Sequence, residues 1–262
     1  MATARPPAVA GMFYPADPAE LKAMVDGMLA EAATDEAAPK AMIVPHAGYV
    51  YSGPVAATAY ARLLNRSHPI RRVVLFGPAH RVPFRGLAVP SVDYFQTPLG
   101  LIPLDRTAIE ALEQLPFVVE SDAAHAQEHS LEVHLPFLQE TLGEGFELVP
   151  VVVGDARPEE VAEALELLWD GPETLIVISS DLTHYLDYET ARRIDRVTSE
   201  AIEHLQPERI GFEQACGRIP VQGLLLEARR HGLHGRTVDL RNSGDTAGPR
   251  DQVVGYGAYV FA

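Results

Sequence analysis

Cysteine is nearly absent from this sequence. With Cys216 alone, the chain forms no internal disulfide, which is typical of a reducing compartment. Long apolar runs are also missing: none approaches the roughly 18 residues that span a membrane. The N-terminal segment lacks the apolar core of a secretory signal. We therefore expect a soluble, cytoplasmic protein.

Several common functional motifs do not occur either. The sequence has no G-x-G-x-x-G fingerprint, no Walker loop, no G-x-S-x-G elbow and no paired C-x-x-C. Their absence argues against nucleotide binding and serine hydrolysis. A formal charge of −15 and a pI of about 5.0 argue against nucleic acid and anionic membranes as partners, because like charges repel. The same acidic charge is compatible with a metal cation.

Apolar runs that alternate with helical patterns dominate what is present. Four of these runs are continuous, as in parallel strands that helices cover on both faces: residues 41–45, 71–77, 146–154 and 174–180. No repeat or long linker divides the chain. The pattern predicts one domain over residues 1–262, with an α/β fold in three αβα layers around a mostly parallel central sheet.

Polar side chains follow three of these runs. His46 comes after the first, His80 after the second and Asp181 after the fourth, with His184 one turn later. Each alone is readily explained by a loop contact or a helix cap. Because ligands bind beyond the carboxyl ends of parallel strands, three such ends together favour a shared site. Two histidines and a carboxylate are typical of nonhaem iron(II) or catalytic zinc.

A second histidine cluster lies in "AQEHSLEVHLPFLQE", for which the pattern predicts a helix over about 127–140. His129 and His134 are five residues apart, about 140° around a regular helix, so both cannot bind one ion from it. His134 lies beside the apolar stripe and is either a core residue or a pocket residue. His129 stands with Glu128 near the helix start and is the better candidate for general acid–base work.

Cys216 lies in "QACGRIPVQGLLLEA", just before a helix that we expect to open at Pro220. A lone cysteine is commonly a small buried hydrophobe. A sulfur at the N-terminal side of a helix, however, is favoured as a thiolate and is then a plausible metal ligand. Tyr49 and Tyr51, which follow His46, are candidate pocket walls. The remaining histidines are predicted to be solvated: His68, His125, His204, His231 and His234.

Together these segments resemble the Memo family, the B component of the AmmeMemoRadiSam system. The matching stretches span most of the chain in the expected order: "AGMFYPADPAEL", "VPHAGYVYSG", "GPAH", "SVDYFQTPLG", "EHSLEVHLPFLQ", "VPVVVGD", "SSDLTHY" and "CGRIPVQGLLLEA". The resemblance implies the fold of class III extradiol dioxygenases, with a mononuclear iron site at the sheet edge. It also implies AMMECR1-like and radical SAM proteins as partners.

The resemblance further implies roles for individual residues. His46, His80 and Cys216 would be the metal ligands, with Fe(II) expected and copper or zinc as alternatives. Four residues would line the same pocket: Asp181, His184, His129 and His134. If the protein is a redox enzyme, we expect His129 or His184 to move protons and Asp181 to orient an imidazole. Arg81 departs from the pattern, since some relatives have a second histidine there.

Three functions are consistent with this sequence. The first is a redox or oxygenase-like enzyme that acts on an unknown substrate at the metal. The second is a non-catalytic module that binds a peptide or a small ligand in the same pocket. The third is a zinc hydrolase with Asp181 or His129 as the base. The residues leave open whether Cys216 or Asp181 is the third ligand.

Overall fold

The structure, a computed structural model, describes residues 2–262. Its strands are Ala4–Arg5 (β1), Ala41–Val44 (β2), Arg72–Pro78 (β3), Leu87–Val89 (β4), Tyr94–Thr97 (β5), Gly100–Pro103 (β6), Val118–Glu120 (β7), Glu147–Val153 (β8), Thr174–Ser179 (β9), His184–Leu186 (β10), Gly235–Asn242 (β11) and Val253–Phe261 (β12). Its α-helices are Pro18–Glu31 (α1), Tyr49–Tyr60 (α2), Arg106–Leu112 (α3), Asp122–Ala126 (α4), Leu135–Leu142 (α5), Pro158–Leu168 (α6), Tyr188–Glu203 (α7) and Arg218–Arg230 (α8). Short 3-10 turns occur at Ala61–Asn65, Glu132–His134, Pro207–Arg209 and Ser243–Asp245.

Nine strands form the central sheet, in the order β10-β12-β2-β9-β3-β8-β4-β7 with β11 paired to β12. The middle strands β2, β9, β3 and β8 are parallel, whereas β12 on one side and β4 on the other are antiparallel to their inner neighbours. Strands β1, β5 and β6 form a separate small sheet. The predicted parallel sheet is therefore confirmed for the four middle strands, whereas the sheet as a whole is mixed, with antiparallel pairings toward its edges.

The continuous apolar runs form the middle strands because both faces of the sheet are covered. Every residue of β2 and β9 is buried. Helices α6 and α8 pack on each other and α8 contacts β9 and β3, while α1, α2 and α5 contact one another and α2 lies against β2 and β12. This is the three-layer αβα arrangement predicted from the sequence. No helix within residues 2–262 is both long and apolar enough to cross a membrane.

The helix predicted over about 127–140 is wrong in its first half. Helix α4 ends at Ala126, residues 127–131 form a loop, and α5 begins only at Leu135. In this segment, side chains take backbone hydrogen bonds that a helix would need for its own backbone pairing. The Glu128 carboxylate, for example, accepts the Ser130 N–H at 3.0 Å. Pro136 then occupies the first turn of α5, where its missing N–H costs nothing.

Candidate metal centre

The site begins at three neighbouring strands, β2, β9 and β3, which end at the same edge of the sheet. His46 lies two residues beyond the end of β2, Asp181 two beyond β9 and His80 two beyond β3. Parallel strands in adjacent positions place such residues side by side. The structure thus brings together the three strand-end residues singled out in the sequence.

Cys216 completes a group of three potential metal ligands. The ligand atoms of His46, His80 and Cys216 all lie within 4.8 Å of one another. The Cys216 Sγ is 3.3 Å from His46 Nε2, and the centroids of the two imidazole rings are 5.1 Å apart. His46 is buried, whereas the His80 side chain is 28% exposed and forms the mouth of the group.

Ser179 determines which nitrogen of His46 faces this group. The Ser179 hydroxyl has one proton, which it donates to the Ser130 carbonyl at 2.6 Å. It must therefore accept from both imidazoles that contact it, His46 Nδ1 at 2.6 Å and His134 Nε2 at 2.8 Å. His46 consequently carries its proton on Nδ1 and presents an Nε2 lone pair. Burial, and next the neighbouring histidines, hold the pKa of His46 well below its ordinary value.

Glu128 determines which nitrogen of His80 faces the group. Its Oε1 accepts a hydrogen bond from His80 Nδ1 at 2.8 Å, so the lone pair of Nε2 is left free to bind a metal ion. Burial alone would raise the pKa of the Glu128 carboxyl, but hydrogen bonds from His80 and Ser130 outweigh it and lower the pKa to about 2. A carboxylate thus orients the imidazole, as is usual behind metal-binding histidines.

A close backbone approach places Cys216. A Cβ on Gly217 would lie 2.5 Å from the Ser179 carbonyl oxygen, so only glycine allows this loop to touch the end of β9. The Asp181 N–H then donates to Cys216 Sγ at 3.3 Å. Burial raises the pKa of the Cys216 thiol far above its usual value, and the Asp181 carboxylate raises it further. The position of the sulfur before a helix is therefore not enough to make it the thiolate that the sequence favoured. A cation would have to displace the thiol proton on binding.

Asp181 and His184 border the group on the side of β10. Asp181 Oδ1 accepts the His46 backbone N–H at 2.8 Å, while Oδ2 lies 3.8 Å from His46 Nε2. Burial raises the pKa of the Asp181 carboxyl to about 7. His184 Nδ1 donates to the Leu182 carbonyl at 2.9 Å, so its Nε2 is an acceptor. Asp181, His184 and Cys216 form a second group of ligand atoms within 4.8 Å, which overlaps the first.

His129 lies on the other side of His80. The two rings stack at a centroid distance of 4.7 Å and an angle of 15°. His129 Nδ1 is buried and has no hydrogen-bond partner within residues 2–262. Burial, and next the neighbouring His80, lower the pKa of His129 to about 4, so its imidazole is neutral at pH 7. An unpartnered nitrogen beside a group of metal-ligand side chains is the kind of atom that accepts a proton or a hydrogen bond from a ligand.

Two residues predicted to line the pocket lie elsewhere. His134 is 1% exposed and is held by Tyr60 and Ser179, so it supports His46 from behind and is the core residue that the sequence left as one option. Tyr49 packs between Tyr14 and Phe137, away from the ligand group, and its hydroxyl donates to the Val133 carbonyl at 2.6 Å. Tyr51 is two residues further along α2 and therefore points in a different direction from Tyr49. Tyr51 is 40% exposed on the first turn of α2.

One histidine predicted to be solvated is not. His125 is 2% exposed and its Nε2 hydrogen-bonds to the Ala88 carbonyl at 2.9 Å, because α4 packs against β4. His231 is exposed as predicted, although it also stacks on Trp169 at 4.2 Å and contacts Glu166 at 2.7 Å. Polar sequence neighbours concealed both contacts, since the partners come from distant segments.

Sequence reasoning missed the residues that support the ligands. Ser179 reads only as the end of an apolar strand, although it fixes the proton of His46. Arg5 is buried near the N-terminus and donates to the carbonyls of His125 and Glu128, both at 2.7 Å, which anchors the loop behind His80. No local pattern marks either role. A buried arginine or serine is recognised only when its partners are known.

The donor atoms fit a transition-metal ion. Two imidazole Nε2 lone pairs and one sulfur converge, and the proton positions of both imidazoles are already set for metal binding. Imidazole and thiolate are ligands for zinc, copper and iron rather than for magnesium or calcium. The structure therefore contains a group of side chains that could hold one transition-metal ion.

Comparison with known proteins identifies the family to which this chain belongs. The sequence model of the family described as Memo-like protein matches residues 5–260. Relatives called MEMO1 family protein are 37% identical in Aquifex aeolicus and 38% identical in Ignicoccus hospitalis, and in both cases 98% of each chain is covered. The crystal structure of an uncharacterized protein from Escherichia coli K12 has a TM-score of 0.56 at 13% identity, covering 84% of this chain and 98% of that one. That structural likeness concerns the fold alone.

Proposed function

This chain belongs to the Memo family, and we propose that it binds one transition-metal ion, iron(II) being expected, for redox chemistry on a small organic substrate. The ligands would be His46 Nε2, His80 Nε2 and Cys216 Sγ. The observation that carries the proposal is their convergence within 4.8 Å, with both imidazoles already oriented by Ser179 and Glu128. Copper is the alternative ion, because a sulfur donor also suits it.

Bound iron(II) would supply a redox-active Lewis acid with coordination positions left for other ligands. Around it, the chain offers two proton acceptors. His184 Nε2 is free because Nδ1 is used by the Leu182 carbonyl, and His129 is neutral with an unpartnered Nδ1. Each is a candidate to hold a substrate proton beside the ligand group. Asp181 fixes the His46 backbone through Oδ1 and is a positioning residue by this contact.

The metal part of the proposal is tested with variants that keep the supporting hydrogen bonds. His46→Asn and His80→Asn place an amide N–H near the position of Nδ1, where it can still donate to Ser179 or Glu128, but both lack Nε2. After anaerobic purification we expect about one iron per wild-type chain and strongly reduced iron in either variant, measured by elemental analysis. The matched control is His68→Asn, which changes an exposed histidine outside the group. Equal iron in wild type and both variants would sink the proposal.

The sulfur and the redox role need a second measurement. A thiolate bound to copper(II) or iron(III) absorbs visible light by charge transfer, and Cys216→Ser removes this absorption because an alcohol oxygen is a harder donor. Oxygen consumption with small organic substrates, lost in the same variant, would support an enzyme. Metal binding without oxygen consumption would instead favour the non-catalytic module, and turnover with zinc alone would favour hydrolysis. The partners implied by the resemblance stay a prediction.

A further inference from the structure

A cleft of about 520 Å³ opens directly beside the proposed ligands. His80 and Cys216 belong to its lining, so a molecule in the cleft lies next to the ligand group. Its size is within the range of small-molecule sites, about 300–1,000 Å³. The other lining residues should therefore indicate the chemistry of what binds there.

Two arginines, Arg81 and Arg218, line this cleft. Neither guanidinium makes an ion pair with a carboxylate anywhere in residues 2–262, although arginines elsewhere commonly do. Arg218 makes only a 3.3 Å hydrogen bond to Gln222. In a chain of net charge −15, two uncompensated cations in one cleft stand out. A guanidinium is the side chain best suited to bind carboxylate or phosphate oxygens.

The surrounding charges leave the cleft positive. Helix α8 begins at Arg218 and has no side-chain cap at its N-terminus, so its dipole adds positive potential there. Asp155, the one carboxylate in the lining, offsets a single positive charge.

An apolar surface accompanies these charges. Phe212 is 84% exposed, an unusual position for a phenylalanine, and it lines the cleft together with Phe84 and Ile219. The Arg218 guanidinium lies 5.5 Å from the centroid of the Phe212 ring, which holds the cation at the cleft wall. Free inorganic anions would make no use of this apolar wall.

We propose that the substrate of this site is a small organic anion, whose acid group binds Arg81 and Arg218 and whose apolar body lies against Phe212. This inference rests on the proposed function, because it takes the cleft to be the path by which the substrate reaches the metal ligands. The arginines would hold the acid group, and the rest of the molecule would lie in the cleft that His80 and Cys216 also line. Arg81 is thereby a specificity-determining residue of this site.

Binding of three probes of similar shape tests the proposal: benzoate, phenyl phosphate and the neutral benzyl alcohol. Dissociation constants are measured by calorimetry on the full chain, both metal-loaded and after chelator treatment. The variants are the double substitution Arg81→Gln/Arg218→Gln, the matched control Arg85→Gln and the charge variant Asp155→Asn. Arg85 is exposed in the same segment as Arg81 but does not line the cleft. Metal content is determined in each sample.

We expect one of the two anions to bind wild type in preference to benzyl alcohol, with or without metal. The double variant should weaken this binding by at least about tenfold, because hydrogen bonds to charged groups are lost. Arg85→Gln should leave it unchanged, and Asp155→Asn should strengthen it. The proposal is overturned if neither anion binds in the millimolar range, if benzyl alcohol binds equally well, or if the double variant binds like wild type. Anion binding in a protein that takes up no metal would instead overturn only the proposed metal function.

Discussion

Glu128 holds His80 at two points. Its Oε1 accepts from His80 Nδ1 at 2.8 Å and its Oε2 accepts from the His80 backbone N–H at 2.5 Å. Side chain and backbone of the proposed ligand are thus oriented by one buried carboxylate, which comes from a loop 48 residues further along the chain. The loop after α4 therefore matters for the site even though it is not on the sheet.

Removing the charge of Glu128 should weaken metal binding without removing a ligand. In Glu128→Gln the side chain keeps its size but no longer stabilises the Nδ1–H tautomer as a carboxylate does. We expect metal affinity to fall by about 10- to 100-fold, the usual cost of losing such a partner. Competition with a chromogenic chelator measures it, and Glu120→Gln, at an exposed position of β7, is the control. Unchanged affinity in Glu128→Gln would show that His80 needs no carboxylate.

A buried ion pair anchors the same loop. Arg5 and Glu132 are 5% and 0% exposed and meet at 2.8 Å, and Glu132 also accepts from Tyr14 and from two backbone N–H groups. Arg5→Met should lower the free energy of unfolding by about 3–5 kcal/mol, because it leaves a buried carboxylate without its cation. Urea denaturation followed by circular dichroism measures this change.

The control for Arg5 is Arg71→Met. Arg71 and Glu173 also form an ion pair, at 3.1 Å, but their side chains are 67% and 50% exposed. Solvent screening limits such pairs to about 1 kcal/mol or less. If both variants lose a similar free energy of unfolding, burial does not strengthen the Arg5–Glu132 ion pair.

Asp195 makes stability depend on pH. It is buried, accepts from the Thr183 N–H and hydroxyl at 3.1 Å, and burial raises its pKa to about 6. Because the folded protein holds this proton more tightly than the unfolded chain, the contribution is full below about pH 4 and is lost as the pH rises to about 6. Asp195→Asn has no such loss. Between pH 4 and pH 8 the variant should gain up to about 3 kcal/mol relative to wild type, measured by urea titration at each pH. A constant difference between the two proteins across this range would contradict the prediction.

The strands and their ends were predictable because parallel strands leave simple signals. A continuous apolar run marks a strand covered on both faces, and His46, His80 and Asp181 each follow two residues after one. Sequence alone also singled out Cys216, through the resemblance and the helix that follows it. These signals are local, and the sheet order then brings the residues together.

The loop behind His80 was not predictable for the opposite reason. Its apolar spacing matches a helix, but its conformation depends on Arg5 and His80, which lie far away in the sequence. His134 remained ambiguous because its partners, Tyr60 and Ser179, come from α2 and β9. Contacts between segments distant in sequence override local propensity here, and one sequence does not reveal them.

Gly217 provides the last prediction, since it determines how closely Cys216 approaches the histidines. A methyl group there would lie 2.5 Å from the Ser179 carbonyl oxygen and 2.7 Å from the Ser180 Cβ. Gly217→Ala must therefore move the loop away from β9, carrying the sulfur with it, and we expect at least about tenfold weaker metal binding with the folded state retained. Gly27→Ala is the control, because a methyl group at that position of α1 meets nothing within 4 Å and alanine favours a helix. If chelator competition gives the same metal affinity for Gly217→Ala as for wild type, the sulfur does not contribute a ligand.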